Sequence, residues 1–248
     1  MAKSNTTRKA LVIEGNSNTA LATIEEAERQ AIEGMQKRIQ APAGSGISIR
    51  DKQFKFPDGR IVDELEVVIL DFVSRNLYYE GRFDPKNPAP PTCFAVGREL
   101  KAMVPSKNSP EVQNSDCDSC SNNQFGSNGT AKACKNTRYL AVIEASSDPK
   151  DAQIYTISVP PKSLKAFDGY LNTLTSVLKR ASFGVVTKIG FHPEAEHEQL
   201  VFSPVGPNPH VAACVARTGE AQMVLNVEPD TSRRVAAEPA RATKRARR

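Results

Sequence analysis

The spacing of apolar residues changes along the chain, and each spacing predicts a different element. Over residues 18–40, Ile24, Ala27, Ala31, Met35 and Ile39 recur at intervals of three and four, and Glu25 with Arg29 and Glu33 with Lys37 stand four apart. That is an amphipathic helix. Its stripe is thin and rich in alanine, so it is expected to pack on the body or on a second copy of the chain; a partner-docking helix is the functional alternative. Residues 41–46, APAGSG, read as a linker. From 47 onward the period shortens to two. Strands are expected at 47–56, 64–73, 77–80 and 93–97, with a turn at Pro57-Asp58-Gly59 and a break at Arg75-Asn76. Strands follow at 139–144 and 154–159. Pro160-Pro161 then opens a helix with Leu164, Phe167, Tyr170 or Leu171, Leu174 and Val177 or Leu178 on one face, and Phe183-Gly184 closes it. A hairpin of 185–191 and 199–202 completes the pattern.

Between 104 and 137 the apolar pattern disappears into Ser, Asn, Gly and Pro, and so long a loop inside a domain needs a physical reason. Cysteine supplies one. Cys117 and Cys120 form a C-x-x-C knuckle, Cys134 follows, and Cys93 lies just before the loop. Four thiolates can close a tetrahedral zinc site, and metal binding would replace the folding energy of a loop whose main large apolar residue is Phe125. Gly126 and Gly129 allow the tight turns that return Cys134 to the ion. A closed site of this kind is structural, with no open position for catalysis. The other readings are a redox pair or disulfide of Cys117 with Cys120, and ordinary free thiols. Cys214 reads as a small buried residue or a bystander.

The 33 Lys and Arg against 28 Asp and Glu give a net charge of +5, which is concentrated at one end. From 229 to 248 there are seven cations (Arg233, Arg234, Arg241, Lys244, Arg245, Arg247, Arg248) and two acids (Asp230, Glu238), a local balance of +5, so the remainder is neutral. With no large apolar residue after Val235, this segment is expected to be a disordered basic arm. Such an arm attracts phosphate backbones through counterion release; a solubility or localisation tail is the alternative. No stretch is apolar enough for a spanning helix, and the beginning of the chain lacks the apolar core of a secretory signal, so a cytoplasmic protein without a membrane partner is expected. Clustered carboxylates around an open metal position and nucleophile motifs are missing from the pattern, which argues against an enzyme.

The order of several strands, one helix and a hairpin fits a mainly β, α+β domain. It fits in particular an oligonucleotide-binding (OB)-fold-like Greek-key barrel over 47–205, with the zinc loop at about 104–137 as an insertion. Residues 1–46 would be an N-terminal arm, helix and linker, and 206–248 a C-terminal extension and tail. On PTCFAVG (91–97), CDSCSNNQFGS (117–127), KACKNTR (132–138), GVVTKIGFHP (184–193) and LVFSP (200–204), the chain resembles the single-stranded DNA-binding proteins of tailed phages, of the zinc-containing helix-destabilising type. The resemblance covers roughly 47–204. It implies a replication and recombination protein of the infected bacterial cell that coats unpaired strands and holds structural Zn2+. Two departures stand out: those proteins use a histidine with three cysteines where this chain would use Cys93, and they end in an acidic tail where this chain is basic.

Single-strand binding requires cations beside exposed rings, because every base has a π-face on which an aromatic can stack. Arg50, Lys52, Phe54 and Phe56 are spaced by two and would share one face of an unbroken strand. Tyr78, Tyr79 and Arg82, with Phe83, offer a second cluster in which only one of the two tyrosines is expected to face outward, and Lys132, Lys135 and Arg138 around the last thiol are candidate phosphate contacts. With 10 Phe and 5 Tyr in the chain, each ring has the core as its alternative place. The expected partner is single-stranded DNA, with RNA as the alternative polymer, and self-association or replication proteins would engage the N-terminal helix. The competing class is a zinc-stabilised adaptor that binds protein, a reading favoured by the neutral body.

Overall fold

The computed structural model describes residues 45–81 and 89–232. Within it nine strands join in one sheet: β1 (Gly46–Arg50), β2 (Gln53–Lys55), β3 (Ile61–Val62), β4 (Leu65–Tyr78), β5 (Cys93–Gly97), β6 (Lys135–Glu144), β7 (Tyr155–Val159), β8 (Val185–Phe191) and β9 (Leu200–Pro207). Helix α1 (Leu164–Asn172) precedes β8, and α2 (Val211–Ala216) and α3 (Thr218–Leu225) follow β9. The strand order is β3-β2-β1-β7-β6-β4-β8-β9, with β5 added beside β4. Pairing is antiparallel throughout except where β1 meets β7.

The central strand β4 organises the rest. It runs along β6, meets β8 at its first residues (Leu65 opposite Ile189) and β5 at its last (Tyr78 opposite Cys93). The register slips between Ile69 and Asp71, the mark of a bulge at Leu70. One extra residue bends the strand and exchanges its faces. Leu65, Val67 and Ile69 therefore share a core with Phe72, whereas Val68 and Leu70 share the opposite one with Val73.

The sheet curls into a half-barrel. Phe54 of β2 and Phe191 of β8 lie far apart in strand order, yet their ring centroids are 4.6 Å apart. Beside them Lys52 Nζ donates to the Pro193 carbonyl at 3.4 Å, and the Asp51 N–H donates to the Glu198 carboxylate at 3.2 Å. The β1–β2 and β8–β9 hairpins thus meet, while among the described strands no ladder joins β3 to β9. This mixed α+β, sheet-dominated architecture is compatible with an OB-like barrel.

Inside the curl, Phe54, Phe56, Leu140, Ile157, Ile189 and Leu200 are buried, and the space is closed by Phe167 and Tyr170 of α1 with Leu174 just beyond it. Each such side chain contributes about 1.5–3 kcal/mol by leaving water. The helix ends earlier than its apolar pattern suggests: a π-turn over Thr173–Val177 rotates the face, leaving Val177 and Leu178 exposed. The outer face has a second core, in which Val68, Leu70, Ala141 and Ile143 are covered by Cys214, Ala221 and Leu225 of α2 and α3. Arg75 locks this cover in place. Its guanidinium carbon lies 3.6 Å from the Tyr139 ring centroid, and Nη2 donates to the Leu225 and Val227 carbonyls at 2.9 and 2.7 Å.

Two sequence expectations are corrected. The strand expected over 47–56 is a hairpin, because Asp51 and Lys52 adopt positive φ (53° and 55°) and form a two-residue turn between the paired Arg50 and Gln53. The expected break at Arg75-Asn76 does not occur; both residues lie within β4 and pair on both edges. Cys214 is fully buried, as one of its two readings required. The helix at 18–40, residues 41–44 of the linker, Arg82, Phe83 and the basic residues at 233–248 lie outside the described residues. Among the described residues no helix is long and apolar enough to cross a membrane.

Candidate nucleic-acid interface

The sheet register brings the cysteines together. Cys93 opens β5 opposite Tyr78, and Lys135, the residue after Cys134, pairs with Leu77 across the other edge of β4. The knuckle is folded onto this end by its own hydrogen bonds. The Asp116 carboxylate accepts from the Ser119 N–H at 2.8 Å, Asn123 Nδ2 donates to the Cys117 carbonyl at 2.8 Å, and the Cys134 N–H donates to the Asn122 carbonyl at 2.7 Å. Asn136 Nδ2 ties the loop to the sheet, donating to Asn76 at 2.6 Å and to Asn123 at 2.9 Å.

Cys93, Cys117, Cys120 and Cys134 are all buried and line one cavity of about 20 Å³ together with Asn76, Tyr78 and Asn123. The Cys134 thiol is pushed up to about 12, first by burial and then by the neighbouring Cys117, Cys120 and Cys93 sulfurs, with Lys132 pulling the other way. Burial also raises Cys117, partly offset by a hydrogen bond from Asn76. The Cys117 and Cys134 thiols therefore hold their protons more firmly where no cation sits among the sulfurs. Among the described residues no three or more His, Cys, Asp or Glu side chains are gathered as a formed metal centre. What the four positions offer is an all-thiol donor set around a space the size of one small sphere.

Next to this cavity lies an open groove of about 850 Å³, with Tyr78 lining both. Tyr79, Lys135, Ser158 and Pro160 also line the groove, as do Ser127, Asn128 and Ala133 of the cysteine loop. Lys135 Nζ stands 5.3 Å from the Tyr79 ring centroid. Burial raises the Tyr79 phenol, with Arg75 pulling the other way, so the ring stays neutral near pH 7. Ser158 and Pro160 also line a second depression of about 430 Å³ with Ile49, Arg50 and Glu198. The two depressions thus adjoin, giving a path from Tyr78 and Tyr79 over β7 to Arg50. Its charge is mixed: Glu80 faces the first depression with Lys135, and Glu198 the second with Arg50.

Of the expected contacts, Arg50, Tyr78, Tyr79 and Lys135 line this path. Phe54 and Phe56 do not; both are buried in the inner core, Phe54 against Phe191 and Phe56 edge-on to Tyr155. The hairpin turn at Asp51-Lys52 is the cause, since it folds β2 back so that its rings point into the curl. Lys52 is turned toward Pro193 instead of the groove. Arg138 is also corrected: it is buried in β6 and faces Asp168 at 3.4 Å, so it cannot reach a phosphate as a surface cation would. Lys132 stands at the loop tip, 3.4 Å from Asn123 Oδ1 and 5.1 Å from the Phe125 ring centroid. Sequence reasoning overlooked Ser158 and Pro160, which are far from the other lining residues and become neighbours only through the β6–β7 pairing. It also took Phe125 only as a poor core residue, although a lone ring in a polar loop is itself a signal. No family model matches the chain, and neither does any curated protein or solved structure.

Proposed function

We propose that this protein binds single-stranded DNA without catalysing a reaction, its sheet acting as an OB-type barrel and its cysteine loop as a structural zinc insertion. The observation that carries the reading is the groove in which Tyr78, Tyr79 and Lys135 stand beside the four-thiol loop and lead to Arg50. Two adjacent tyrosines supply faces for unpaired bases, and Lys135 and Arg50 supply cations for the backbone between them. A duplex presents stacked bases whose faces are not available to such rings.

Cys93, Cys117, Cys120 and Cys134 would hold the zinc, whose role when bound is to fix the loop and not to activate water. What supports this donor set is its chemistry, since four sulfurs line one cavity and no carboxylate lines it, while among the described residues the thiols are not gathered as a formed metal centre. Tyr78 backs onto that cavity, so a fixed loop also fixes one wall of the groove. The basic residues beyond 232 add attraction that does not depend on sequence. Replication and recombination, where unpaired strands are exposed, are the processes such a protein would serve.

The mixed charge of the groove, Glu80 with Lys135 and Glu198 with Arg50, favours one other reading, a zinc-stabilised adaptor that binds protein segments. Fluorescence anisotropy with a labelled mixed-sequence oligonucleotide, single-stranded and then annealed, separates the two. The nucleic-acid reading expects tighter binding to the single strand, weakening as salt rises; equal binding to both forms, or none, leaves the adaptor.

A further inference from the structure

Phe125 is 80% exposed, an unusual place for a ring in a chain whose other described phenylalanines are buried or half-buried. Its backbone is nevertheless held on both sides. Gln124 Nε2 donates to the Asp118 carbonyl at 2.6 Å, Ser127 Oγ donates to the Gln124 carbonyl at 2.6 Å, and the Gly126 N–H donates to the Ala131 carbonyl at 3.2 Å. Gly126 and Gly129 adopt the left-handed conformations (φ 93° and 63°) that close the loop tip, and Asn128 and Ala131 bridge across it. The exposed ring is thus presented by an ordered turn. Lys132 lies 5.1 Å from its centroid, and Ser127, Asn128 and Ala133 of the same turn line the tyrosine groove.

Resting on the single-strand reading, we infer that Phe125 and Lys132 form an additional nucleobase contact at the tip of the cysteine loop, the ring stacking on an unpaired base and the ammonium meeting the adjoining phosphate. The occupant is a nucleic acid rather than a protein because a cation flanks the ring and the tip adjoins the groove already assigned to the strand. This gives the loop a second use. It would carry a contact that neither the sheet nor its strands could present, and the strand would extend past Tyr79 onto the loop.

The chain contains no tryptophan, so Phe125→Trp in the full-length protein creates a single reporter at this position. Stacking should quench its emission when single-stranded oligothymidylate is added, whereas an abasic oligomer of equal length should leave it nearly unchanged. Phe125→Ala should weaken anisotropy-measured binding by about tenfold, Lys132→Gln by less, with the thermal midpoint unchanged because the ring is exposed. Binding that proceeds with neither quenching nor loss in Phe125→Ala would overturn the contact while leaving the groove in place. Failure of the unaltered protein to bind any single strand would instead overturn the reading beneath it. An emission shift that follows protein concentration without DNA would assign the ring to a contact between copies, and also overturns the inference.

Discussion

A phenylalanine at 54 and a tyrosine at 79 both looked like rings for stacking, but their surroundings divide them. Phe54 and Phe56 fill the inner core, so Phe54→Ala or Phe56→Ala should lower stability by about 3–5 kcal/mol in urea unfolding, with the affinity of the folded fraction unchanged. Tyr79→Ala should do the reverse, weakening single-strand binding by about tenfold with a much smaller change in urea midpoint. Arg50→Gln removes one cation from the groove and should reduce the slope of log affinity against log salt by about one. Arg138→Gln should leave that slope unchanged, because the side chain is buried against Asp168.

At the scale of elements, the cysteine loop and the helical cover make separate demands. Cys93→Ser or Cys117→Ser should abolish stoichiometric zinc in elemental analysis, while Cys214→Ser, buried beneath α2, should retain it. Chelation should expose 104–134 to protease while the far-ultraviolet signal of the sheet persists, since that stretch has little apolar surface of its own to hold it. Arg75→Met should release the end of α3, seen as faster amide exchange over 211–228, because the Leu225 and Val227 carbonyls lose their donor. Strands and α1 were legible from the sequence because alternation and the three-to-four period report which face is buried. The hairpin at Asp51-Lys52 was not, since neither residue is the Gly or Asn that usually marks such a turn. Nor was the bulge at Leu70, where an all-apolar run hides a change of face.

For the molecule as a whole, the basic end and the groove should be separable. Removing 233–248, which carries seven cations and one acid, should flatten the salt dependence of binding while preserving the preference for single strands over duplex, if the groove makes that choice. The sequence by itself determined that the chain is rich in strands, that four cysteines fall in and beside a long polar loop, and that the excess charge sits at one end. These are properties of composition and local spacing. Tertiary structure alone decided which rings are exposed and which residues line one groove, because the curl of the sheet and the pairing of β5 and β6 with β4 set those neighbours. Burial depends on what arrives from elsewhere in the chain, and local pattern carries no record of that.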